Sequence, residues 1–518
     1  MLEQLAVEIA ENARSKEDVL RIKRIFAKKH SLSTLPTDAE ILKAVRGTKY
    51  YARLREILRV KPVRTISGVA VVAVMTSPAA CPHGKCLPCP GGVEKGTPQS
   101  YVGLEPAAMR GRQHGYDAFR QVTARLRELE SIGHDVSKVE IIVMGGTFPA
   151  RDAEYRDKFM LGIFNALNAF KSRMKPENDL EKAKKKNEKA KARCVGITFE
   201  TRPDYAKEEH IREMLKYGGT KVELGVQSIY DDVLEAIRRG HGVRETIEAT
   251  RLLRDSAFKV GYHIMPGLPG SDFSRDLKMF REIFKNEDFK PDYLKIYPTL
   301  VVEGTELYEM WRRGEYNPYT TEEVIDLIAK AKRHFPEWVR VQRIQRDIPV
   351  NAAIGLDKGN IRQLVHRKLR EMGYRCRCIR CREVGHKGVK PEEYSKAELV
   401  VRKYTASGGV EYFISYEIPE YDALVGFVRL RFPVKPFINV LKDAALIREL
   451  HVYGRAVPIG ESGNAFQHRG FGERLLKEAE KIAKEKYDRI AVISGVGVRE
   501  YYRKLGYRLR DGYMVKKL

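Results

Sequence analysis

The sequence predicts an α/β fold in which a parallel sheet is followed by a second, mixed α/β domain. The first observation is a series of apolar, β-branched runs with helix-length segments between most of them, which indicates parallel strands joined by helices. These runs cover residues 69–75, 139–144, 195–200, 222–227, 260–265 and 293–298. The second observation is a later strand, helix and strand over residues 447–494. A chain of 518 residues has room for two or three such domains.

The first 62 residues are predicted to form a basic helical segment. Arg21, Lys23, Arg24, Lys28 and Lys29 lie close together on one predicted helix. The whole chain has a net charge of +26 and a pI of about 9.6. Such an excess of positive charge attracts phosphates, so we expect an RNA partner. The alternative for this cluster alone is a solvated helix face.

Three cysteines follow the first predicted strand. Cys81, Cys86 and Cys89 lie within the run CPHGKCLPCPGG. Three thiolates can hold three irons of a [4Fe-4S] cluster and leave the fourth iron open to a small molecule. A structural zinc site or a disulfide pair is the alternative for this run alone.

Polar and glycine residues stand where the predicted strands end. In a parallel sheet these ends meet at one edge, where the active-site loops lie. Any one of these residues is more often a helix cap or a turn residue than a ligand. They are candidates because all of them are expected at the same edge of the sheet. The candidates are Gly145, Gly146, Thr147, Glu200, Arg202, Gln227 and Lys295.

A second cysteine group lies between the two predicted domains. Cys376, Cys378 and Cys381 occur in RCRCIRCREVGH, and three thiolates need a fourth ligand to make a structural zinc site. His386 is the nearest histidine in the sequence, with His366 and His334 as the other candidates. The lysine-rich stretch 171–193 is predicted to be an exposed helix or loop inserted into the first domain.

A glycine loop opens the last long helix. The run QHRGFG contains Gln467, Gly470, Phe471 and Gly472, and the residues after it keep helical apolar spacing. Backbone N–H groups at such a helix start can cradle a pyrophosphate, because the helix dipole favours negative charge and glycine permits close approach. An ordinary turn is the alternative.

No segment is predicted to cross a membrane. The longest apolar run, residues 68–75, is far shorter than the roughly 20 residues that a helical span requires. The opening residues do not have the pattern of a signal peptide, and clustered thiols without a disulfide framework suit a reducing compartment. We therefore expect a cytoplasmic protein.

The predicted strands, the cysteine loop and the Gly-Gly turn together resemble the partial (β/α)6 barrel of radical S-adenosylmethionine enzymes. The usual spacing there is CxxxCxxC, whereas this chain has CxxxxCxxC. The resemblance implies that the cluster binds S-adenosylmethionine and cleaves it to a 5'-deoxyadenosyl radical. It also implies that residues 145–147 meet the methionine amine through backbone groups. Glu200, Arg202 and Gln227 would hold the carboxylate, the sulfonium or the ribose.

The C-terminal segment resembles the GNAT acetyltransferases, through QHRGFG and the run YYRKLGY. In that fold two strands splay apart and hold the pantetheine arm of acetyl-coenzyme A. The resemblance implies that backbone groups around Glu449, Leu450 and His451 bind this arm. Tyr501 or Tyr502 would protonate the departing thiolate. Packing in the core is the alternative for either tyrosine.

A radical S-adenosylmethionine barrel joined to a GNAT domain resembles the family of the Elongator catalytic subunit, from about residue 62 to the C-terminus. The motifs that carry the resemblance are CPHGKCLPCPGG, MGGTF, ETRPDY, ELGVQS, LKIYPTL, RELHVYG, QHRGFG and ISGVGVREYYRKLGY. The implied activity is carboxymethylation of the wobble uridine 34 of tRNA. Acetyl-coenzyme A would supply the two carbons.

Lys295 is predicted to be catalytic. Lys138 matches a position linked to acetyl-coenzyme A, with a solvated charge as its alternative.

The resemblance gives four predicted regions: a tRNA-binding segment over 1–62, the barrel over 63–345, a linker with the zinc cysteines over 346–395, and the GNAT domain over 396–518. In the linker it favours zinc over a second iron-sulfur cluster. Two other functions stay open, a protein lysine acetyltransferase with a structural barrel and a noncatalytic tRNA-binding module. A homodimer also stays open.

Overall fold

The structure is a computed structural model, and it describes residues 1–454 and 470–518. The chain begins with a helical unit that has its own apolar core, formed by residues such as Leu5, Ile22 and Leu54. Ser15 and Thr37 each form a capping box that fixes the start of the helix after it. The helices of this unit are α1 (Leu2–Asn12), α2 (Lys16–Lys29), α3 (Asp38–Ala44) and α4 (Tyr51–Ile57).

The second unit is a curled, half-barrel sheet of parallel strands, which confirms the predicted barrel. Its strands are β1 (Ala70–Met75), β2 (Lys138–Met144), β3 (Arg193–Thr201), β4 (Lys221–Gln227), β5 (Lys259–Ile264), β6 (Tyr293–Ile296) and β7 (Arg340–Arg343). They pair in chain order, each parallel to the next. The first six are the predicted strands. The short β7 extends the sheet beyond them.

Helices cover the outer face of this sheet. They are α5 (Pro106–Gln113), α6 (Ala118–Ser131), α7 (Ala153–Ala169), α8 (Leu180–Asn187), α9 (Glu208–Lys216), α10 (Asp231–Ala236), α11 (Val243–Asp255), α12 (Phe273–Lys285), α13 (Glu306–Arg312) and α14 (Thr321–Lys332). The predicted exposure of the lysine-rich stretch is wrong for part of α8. Lys184 is buried there, and its Nζ donates to the Lys216 carbonyl oxygen at 2.7 Å.

A linker joins the barrel to the last domain through α15 (Ile361–Glu371), α16 (Ile379–Arg382) and α17 (Val384–Lys387). The last domain is a mixed sheet with strand order β13-β14-β12-β11-β10-β9-β8. Its elements are β8 (Glu398–Ala406), β9 (Gly409–Ile418), β10 (Ala423–Phe432), β11 (Ala445–Val452), α18 (Phe471–Lys484), β12 (Arg489–Val492), α19 (Arg499–Lys504), β13 (Arg508–Arg510) and β14 (Tyr513–Lys517).

Strands β11 and β12 diverge, as the resemblance to GNAT proteins predicts. They are the only parallel neighbours in the described part of this sheet, and they pair over Ala445–Ile490, Leu446–Ala491 and Ile447–Val492. The described pairing with β12 ends at Ile447, and β11 continues to Val452. A bulge at Arg448 accompanies the change of direction.

The barrel and the GNAT domain are joined by buried ion pairs as well as by a shared apolar core. Arg448 of β11 makes a bidentate pair with Asp292, with both N–O distances at 2.7 Å. Arg431 pairs with Asp255, and Arg254 pairs with Glu411. Burial alone would raise the pKa of Asp292, but the Arg448 guanidinium outweighs it and holds that pKa well below its usual range. Such pairs fix one relative orientation of the two domains.

None of the helices that the structure describes is both long enough and apolar enough to cross a membrane.

Candidate functional site

Two tight turns shape the cysteine loop after β1. The N–H of Gly84 donates to the Cys81 carbonyl oxygen at 3.1 Å, and the N–H of Cys89 donates to that of Cys86 at 3.0 Å. The loop ends at Gly91, which has a φ of +70°. A Cβ there would collide with the Tyr101 carbonyl oxygen, so only glycine closes the loop.

Polar donors surround the sulfur atoms of this loop. His83 Nε2 lies 3.0 Å from Cys86 Sγ, and Gln99 Nε2 donates to Cys89 Sγ at 3.1 Å. Burial raises the pKa of the Cys81 thiol, helped by the nearby Cys89 and opposed by a hydrogen bond from Thr147. Hydrogen-bonding groups around sulfur are typical of metal-ligating cysteines, so the surroundings of the loop fit a metal cluster.

The three thiols open onto a cavity at the carboxyl ends of the strands. The candidates that line it with them are Gly146, Thr147, Glu200, Arg202 and Gln227. The structure therefore brings together most of the residues predicted for cluster and S-adenosylmethionine. Gly145 shapes the turn instead. Its φ is +117°, and its carbonyl oxygen accepts from Thr76 Oγ1 at 2.9 Å.

Arg202 and Gln227 differ in how much hydrogen-bonding capacity they retain. The Arg202 guanidinium donates twice to Asp204, at 2.9 and 2.8 Å, and once to the Arg239 carbonyl oxygen. Gln227 has a left-handed φ of +68° and a buried Oε1 that finds no hydrogen-bond partner among residues 1–454 and 470–518. Gln227 is therefore the better placed of the two to bind a ligand.

Lys295 lies between the carboxylates of Glu200, which is partly buried, and Glu223, which is buried. Its Nζ donates to Glu200 Oε1 at 2.6 Å and pairs with Glu223, while His263 Nε2 lies 3.0 Å from Glu223 Oε2. Burial alone would lower the pKa of Lys295, but Glu200 and Glu223 raise it above its usual value. Burial likewise opposes ionisation of Glu223, and Lys295 and Lys221 outweigh it to hold that pKa well below its usual range. We define Glu200, Glu223, His263 and Lys295 as the lysine cluster.

A second, larger cavity of about 1030 Å³ extends between the GNAT domain and the inside of the barrel. The remaining candidates that line it are Lys138, Lys295, Glu449, Leu450, His451, Gly472, Tyr501 and Tyr502. Glu449 and His451 point their side chains at neighbours, Glu449 toward Arg429 at 2.9 Å and His451 toward the Ser67 carbonyl oxygen at 3.2 Å. Both side chains are therefore engaged by neighbours, and both residues also pair with β10, opposite Arg429 and Phe427.

The two tyrosines of α19 have different surroundings. Tyr501 is 37% exposed, and a Cβ at Gly472 would lie 3.0 Å from its hydroxyl, so this hydroxyl faces the start of α18. Burial raises the pKa of Tyr501 to about 12. Tyr502 is buried in an apolar cluster and packs edge-on against Tyr507. The position of Tyr501 favours it as the proton donor.

Helix α18 begins as the glycine motif predicts. Gly470 takes a left-handed φ of +76° immediately before the helix. Phe471 is buried and meets the Tyr416 ring at 5.0 Å between centroids, so its side chain packs in the core. Gln467 lies outside the described residues.

The linker cysteines form a compact group of possible metal ligands. The sulfur atoms of Cys376, Cys378 and Cys381 all lie within 4.8 Å of one another. His366 Nε2 lies 3.8 Å from Cys381 Sγ, whereas His386 Nε2 lies 3.1 Å from Glu383 Oε1. His366 is thus better placed than His386, the histidine that is nearer in sequence.

Known proteins resemble this chain over nearly its whole length. Residues 1–66 match the ELP3 N-terminal domain, 75–283 the Radical SAM superfamily and 291–371 the Radical_SAM C-terminal domain. A tRNA uridine(34) acetyltransferase of Methanocaldococcus infernus is 53% identical over 93% of this chain and 92% of its own length. Human Elongator complex protein 3 is 44% identical over 97% of this chain and 93% of its own length. The chain belongs to the Elongator complex protein 3 family.

A solved structure of this family agrees with the fold. The archaeal Methanocaldococcus infernus Elp3 with an N-terminal deletion has a TM-score of 0.77 and 48% identity, over 88% of this chain and 100% of that chain. The Radical SAM match covers the three cysteines of the cluster loop. It implies a [4Fe-4S] cluster and S-adenosylmethionine, which the geometry of the loop fits.

The polar lining of the barrel was not predicted for this member of the Elongator complex protein 3 family. On β2, Val139, Ile141 and Val143 pack under the helices, while Lys138 and Glu140 line the inner cavity. Parallel strands covered on both faces usually read as continuous apolar runs. The strand sequences KVEIIVM and KVELGVQ instead place charged residues among the apolar ones, and this pattern could have predicted the polar lining.

Proposed function

We propose that this chain converts the wobble uridine 34 of tRNA to 5-carboxymethyluridine, with acetyl-coenzyme A and S-adenosylmethionine as cosubstrates. The observation that carries the proposal is that a cavity lined by cluster cysteines adjoins a GNAT-type cleft in one chain. The name of the relatives, tRNA uridine(34) acetyltransferase, supports the tRNA substrate.

The barrel residues would bind the first cosubstrate. Cys81, Cys86 and Cys89 ligate the cluster, and backbone groups of residues 145–147 meet the methionine amine. Gln227 donates or accepts at the ligand with its unpaired amide, and Glu200 is held in place by Lys295. When bound, the cluster and S-adenosylmethionine supply the radical chemistry that the weakly nucleophilic carbon 5 of uracil requires.

The GNAT residues would bind the second cosubstrate. The N-terminus of α18, with Gly470 and Gly472, binds the pyrophosphate, because its backbone N–H groups and dipole favour anions. Backbone groups around Leu450, on the part of β11 that diverges from β12, bind the pantetheine amides. Tyr501 gives its proton to the coenzyme A thiolate when the thioester is hydrolysed.

Further assignments complete the proposal. Residues 1–62 bind tRNA through its phosphates. The linker holds a structural zinc ion, ligated by Cys376, Cys378, Cys381 and His366. A cytoplasmic location suits the chain, because all seven cysteines are free thiols. The four predicted regions serve as the functional division of the chain.

The test is mass spectrometry of wobble nucleosides after anaerobic incubation of the reconstituted protein with tRNA, acetyl-coenzyme A, S-adenosylmethionine and dithionite, which supplies the electron for the cluster. We expect 5-carboxymethyluridine with the parent chain, and none with Cys86→Ala or Gly472→Glu. Gly472→Glu should retain its iron and lose affinity for acetyl-coenzyme A. Acetylated lysines formed without S-adenosylmethionine, and no modified uridine, would contradict the proposal.

The zinc assignment has a separate test by metal analysis. Cys376→Ala and His366→Ala should each lose zinc and retain iron, whereas His386→Ala should retain both metals. Loss of zinc from His386→Ala but not from His366→Ala would contradict the choice of fourth ligand.

A further inference from the structure

The turn that follows α10 packs against the cysteine loop. The N–H of Leu87 donates to the Ile237 carbonyl oxygen at 3.0 Å. Gly240 has a φ of +73°, and a Cβ there would lie 2.8 Å from the Cβ of His83. A glycine at this position is therefore what lets the turn approach the loop so closely. The contact places Arg239 in the wall of the cluster cavity, beside the three cysteines.

Three contacts fix the Arg239 guanidinium in one position. Its Nη2 donates to the Gly225 carbonyl oxygen at 2.7 Å, and its Nε donates to His241 Nε2 at 3.1 Å. Its Nη1 donates to Cys86 Sγ at 3.6 Å. A Cβ at residue 225 would lie 2.6 Å from Nη2, so the glycine in β4 provides the room for the guanidinium. The side chain thus directs one N–H at a cysteine of the cluster loop.

The sulfur atoms of Cys86 and Cys89 have different electrostatic surroundings. Cys89 Sγ lies 3.1 Å from the Gln99 amide nitrogen and 3.2 Å from the Ser100 hydroxyl, and both of these groups are neutral. Cys86 Sγ instead meets a guanidinium, which keeps its positive charge at every pH at which the protein is folded. A full positive charge therefore lies against one of the three predicted cluster ligands.

A positive charge beside a ligating sulfur favours the reduced form of an iron-sulfur cluster. Reduction adds one negative charge to the cluster and its thiolates, and a nearby cation stabilises that charge. The reduction potentials of such clusters follow their net charge, their solvent exposure and the hydrogen bonds to their sulfur atoms. Hydrogen bonds from a charged donor are roughly twice as strong as those from a neutral donor. The contact with Cys86 therefore makes the cluster easier to reduce.

We propose that Arg239 is a positioning residue that raises the reduction potential of the [4Fe-4S] cluster through Cys86. Gly225 is part of the same device, because it leaves the space that the guanidinium occupies. The inference rests on the proposed function, which supplies the cluster. In the step concerned, the oxidised cluster accepts one electron from an external reductant. No covalent bond forms or breaks, and the guanidinium keeps all of its protons.

A redox titration of the cluster-loaded chain tests the proposal without turnover. Dithionite reduces the protein in the presence of mediators, without S-adenosylmethionine or tRNA, and the electron paramagnetic resonance signal of the reduced cluster gives its midpoint potential. At a fixed ambient potential, Arg239→Gln should lower the ratio of reduced to oxidised cluster roughly tenfold, which is a shift of about 59 mV to more negative potential.

Arg238→Gln is the matched control, because it removes the same charge from the adjacent residue. Arg238 is exposed and pairs with Glu306 rather than with a sulfur atom. Solvent screens an exposed charge, so this variant should change the ratio less than roughly threefold, or about 28 mV. Arg239→Lys retains the charge and should recover at least half of the shift. Gly225→Ala should lower the potential with Arg239 still present, because its Cβ displaces the guanidinium.

Equal midpoint potentials for the parent chain and a folded, iron-loaded Arg239→Gln would overturn the proposal. So would weaker S-adenosylmethionine binding by that variant with an unchanged potential, since Arg239 would then act on the ligand and not on the cluster. If Gly225→Ala does not fold, the comparison of Arg239→Gln with Arg238→Gln still decides. A parent chain that forms no 5-carboxymethyluridine would contradict the proposed function and leave the potentials unchanged, so the two failures are distinguishable.

Discussion

Gln227 combines two features that are unusual in a side chain at the end of a strand. Its backbone lies in the left-handed region, and its amide oxygen is buried without a hydrogen-bond partner in the part of the chain that the structure describes. Each feature has a cost in folding free energy, and such costs persist mainly at functional sites. We interpret both as preparation for a ligand in the cluster cavity.

Gln227→Ala should weaken S-adenosylmethionine binding and leave stability nearly unchanged. A hydrogen bond contributes about 0.5–1.5 kcal/mol, so we expect roughly a 2- to 12-fold increase in Kd. The matched control is Gln121→Ala, because the Gln121 amide makes two 2.9 Å hydrogen bonds to the Met75 backbone. That variant should lose about 1–3 kcal/mol of stability. Equilibrium binding and thermal unfolding of both variants test whether Gln227 contacts the ligand. An unchanged Kd for Gln227→Ala would argue against such a contact.

At the scale of elements, α2 shows that basic residues close together in the sequence do not all lie on one exposed surface. Lys23 is buried and its Nζ lies 2.6 Å from Asp38, which pins α2 to α3. Arg21, Arg24, Lys28 and Lys29 remain exposed. Of the five basic residues in the cluster, these four can contact phosphates.

Changing Arg21, Arg24 and Lys28 to Gln should weaken tRNA binding and flatten its salt dependence. Each lost phosphate contact lowers the slope of log affinity against log salt by roughly 0.7–0.9. The control removes the same charge from α18 by changing Lys477, Lys481 and Lys484, which are also exposed. Binding titrations at several salt concentrations measure both. Equal effects of the two triple variants would indicate a general charge effect rather than a contact by α2.

Glu417 connects the linker that contains Cys376, Cys378 and Cys381 to the sheet of the GNAT domain. It accepts from Arg402 at 2.6 Å and from Ser415 at 2.7 Å, and it pairs with Arg382, which follows Cys381. Burial opposes ionisation, but Arg402 and Arg382 outweigh it and lower the pKa of Glu417 to about 2. Because the folded pKa is lowered, the stabilisation is complete above the ordinary value of 4.5 and is lost as the pH falls toward 2.

Glu417→Gln should therefore destabilise the chain at pH 7 by on the order of 3 kcal/mol and make little difference near pH 2. Thermal unfolding of parent and variant from pH 7 downward measures the difference, and Glu392→Gln, at an exposed position, is the control. A difference that stays constant with pH would show that the carboxylate charge is not responsible.

The secondary-structure elements also show which parts of the fold and of the site could be predicted from the sequence. Strands β1 to β6 and the splay of β11 from β12 follow from local patterns and long motifs, which the structure confirms. The partners of Lys295 and the choice of His366 over His386 depend on residues far apart in the chain. Lys295 meets Glu200 across the sheet, and His366 precedes Cys381 by 15 residues. Such contacts arise from packing between elements, so periodicity and spacing did not predict them.

For the whole molecule, the buried ion pairs between the barrel and the GNAT domain determine how the two cavities align. Asp292 immediately precedes β6 and Arg448 belongs to β11, and neither is solvent-accessible. Asp292 Oδ2 also accepts from the Val260 N–H at 2.9 Å. Removing one charge leaves the other buried without its partner, which is more costly than losing a surface pair.

Asp292→Asn should lower stability by about 3–5 kcal/mol and increase cleavage of the chain between the two sheets by added protease. Asparagine retains an acceptor for Val260, so the change isolates the charge. The control is Glu473→Gln, which removes an exposed 2.8 Å pair with Lys477 and should cost less than about 1 kcal/mol. Thermal unfolding and limited proteolysis give the comparison. Similar behaviour of the two variants would mean that the buried charges do not hold the domains together.

The polar lining of the barrel restricts how homologous sequences can diverge. Lys221 faces Glu140 and Glu223, so loss of any one of them unbalances the charges of the interior. That cost of about 3–5 kcal/mol is a large part of a typical folding free energy. On the helix-facing side, a change such as Ile141→Val costs only about 0.5–1.5 kcal/mol. Evolution can therefore alter the outer face of each strand one residue at a time, while the inner face must change by compensated, simultaneous exchanges.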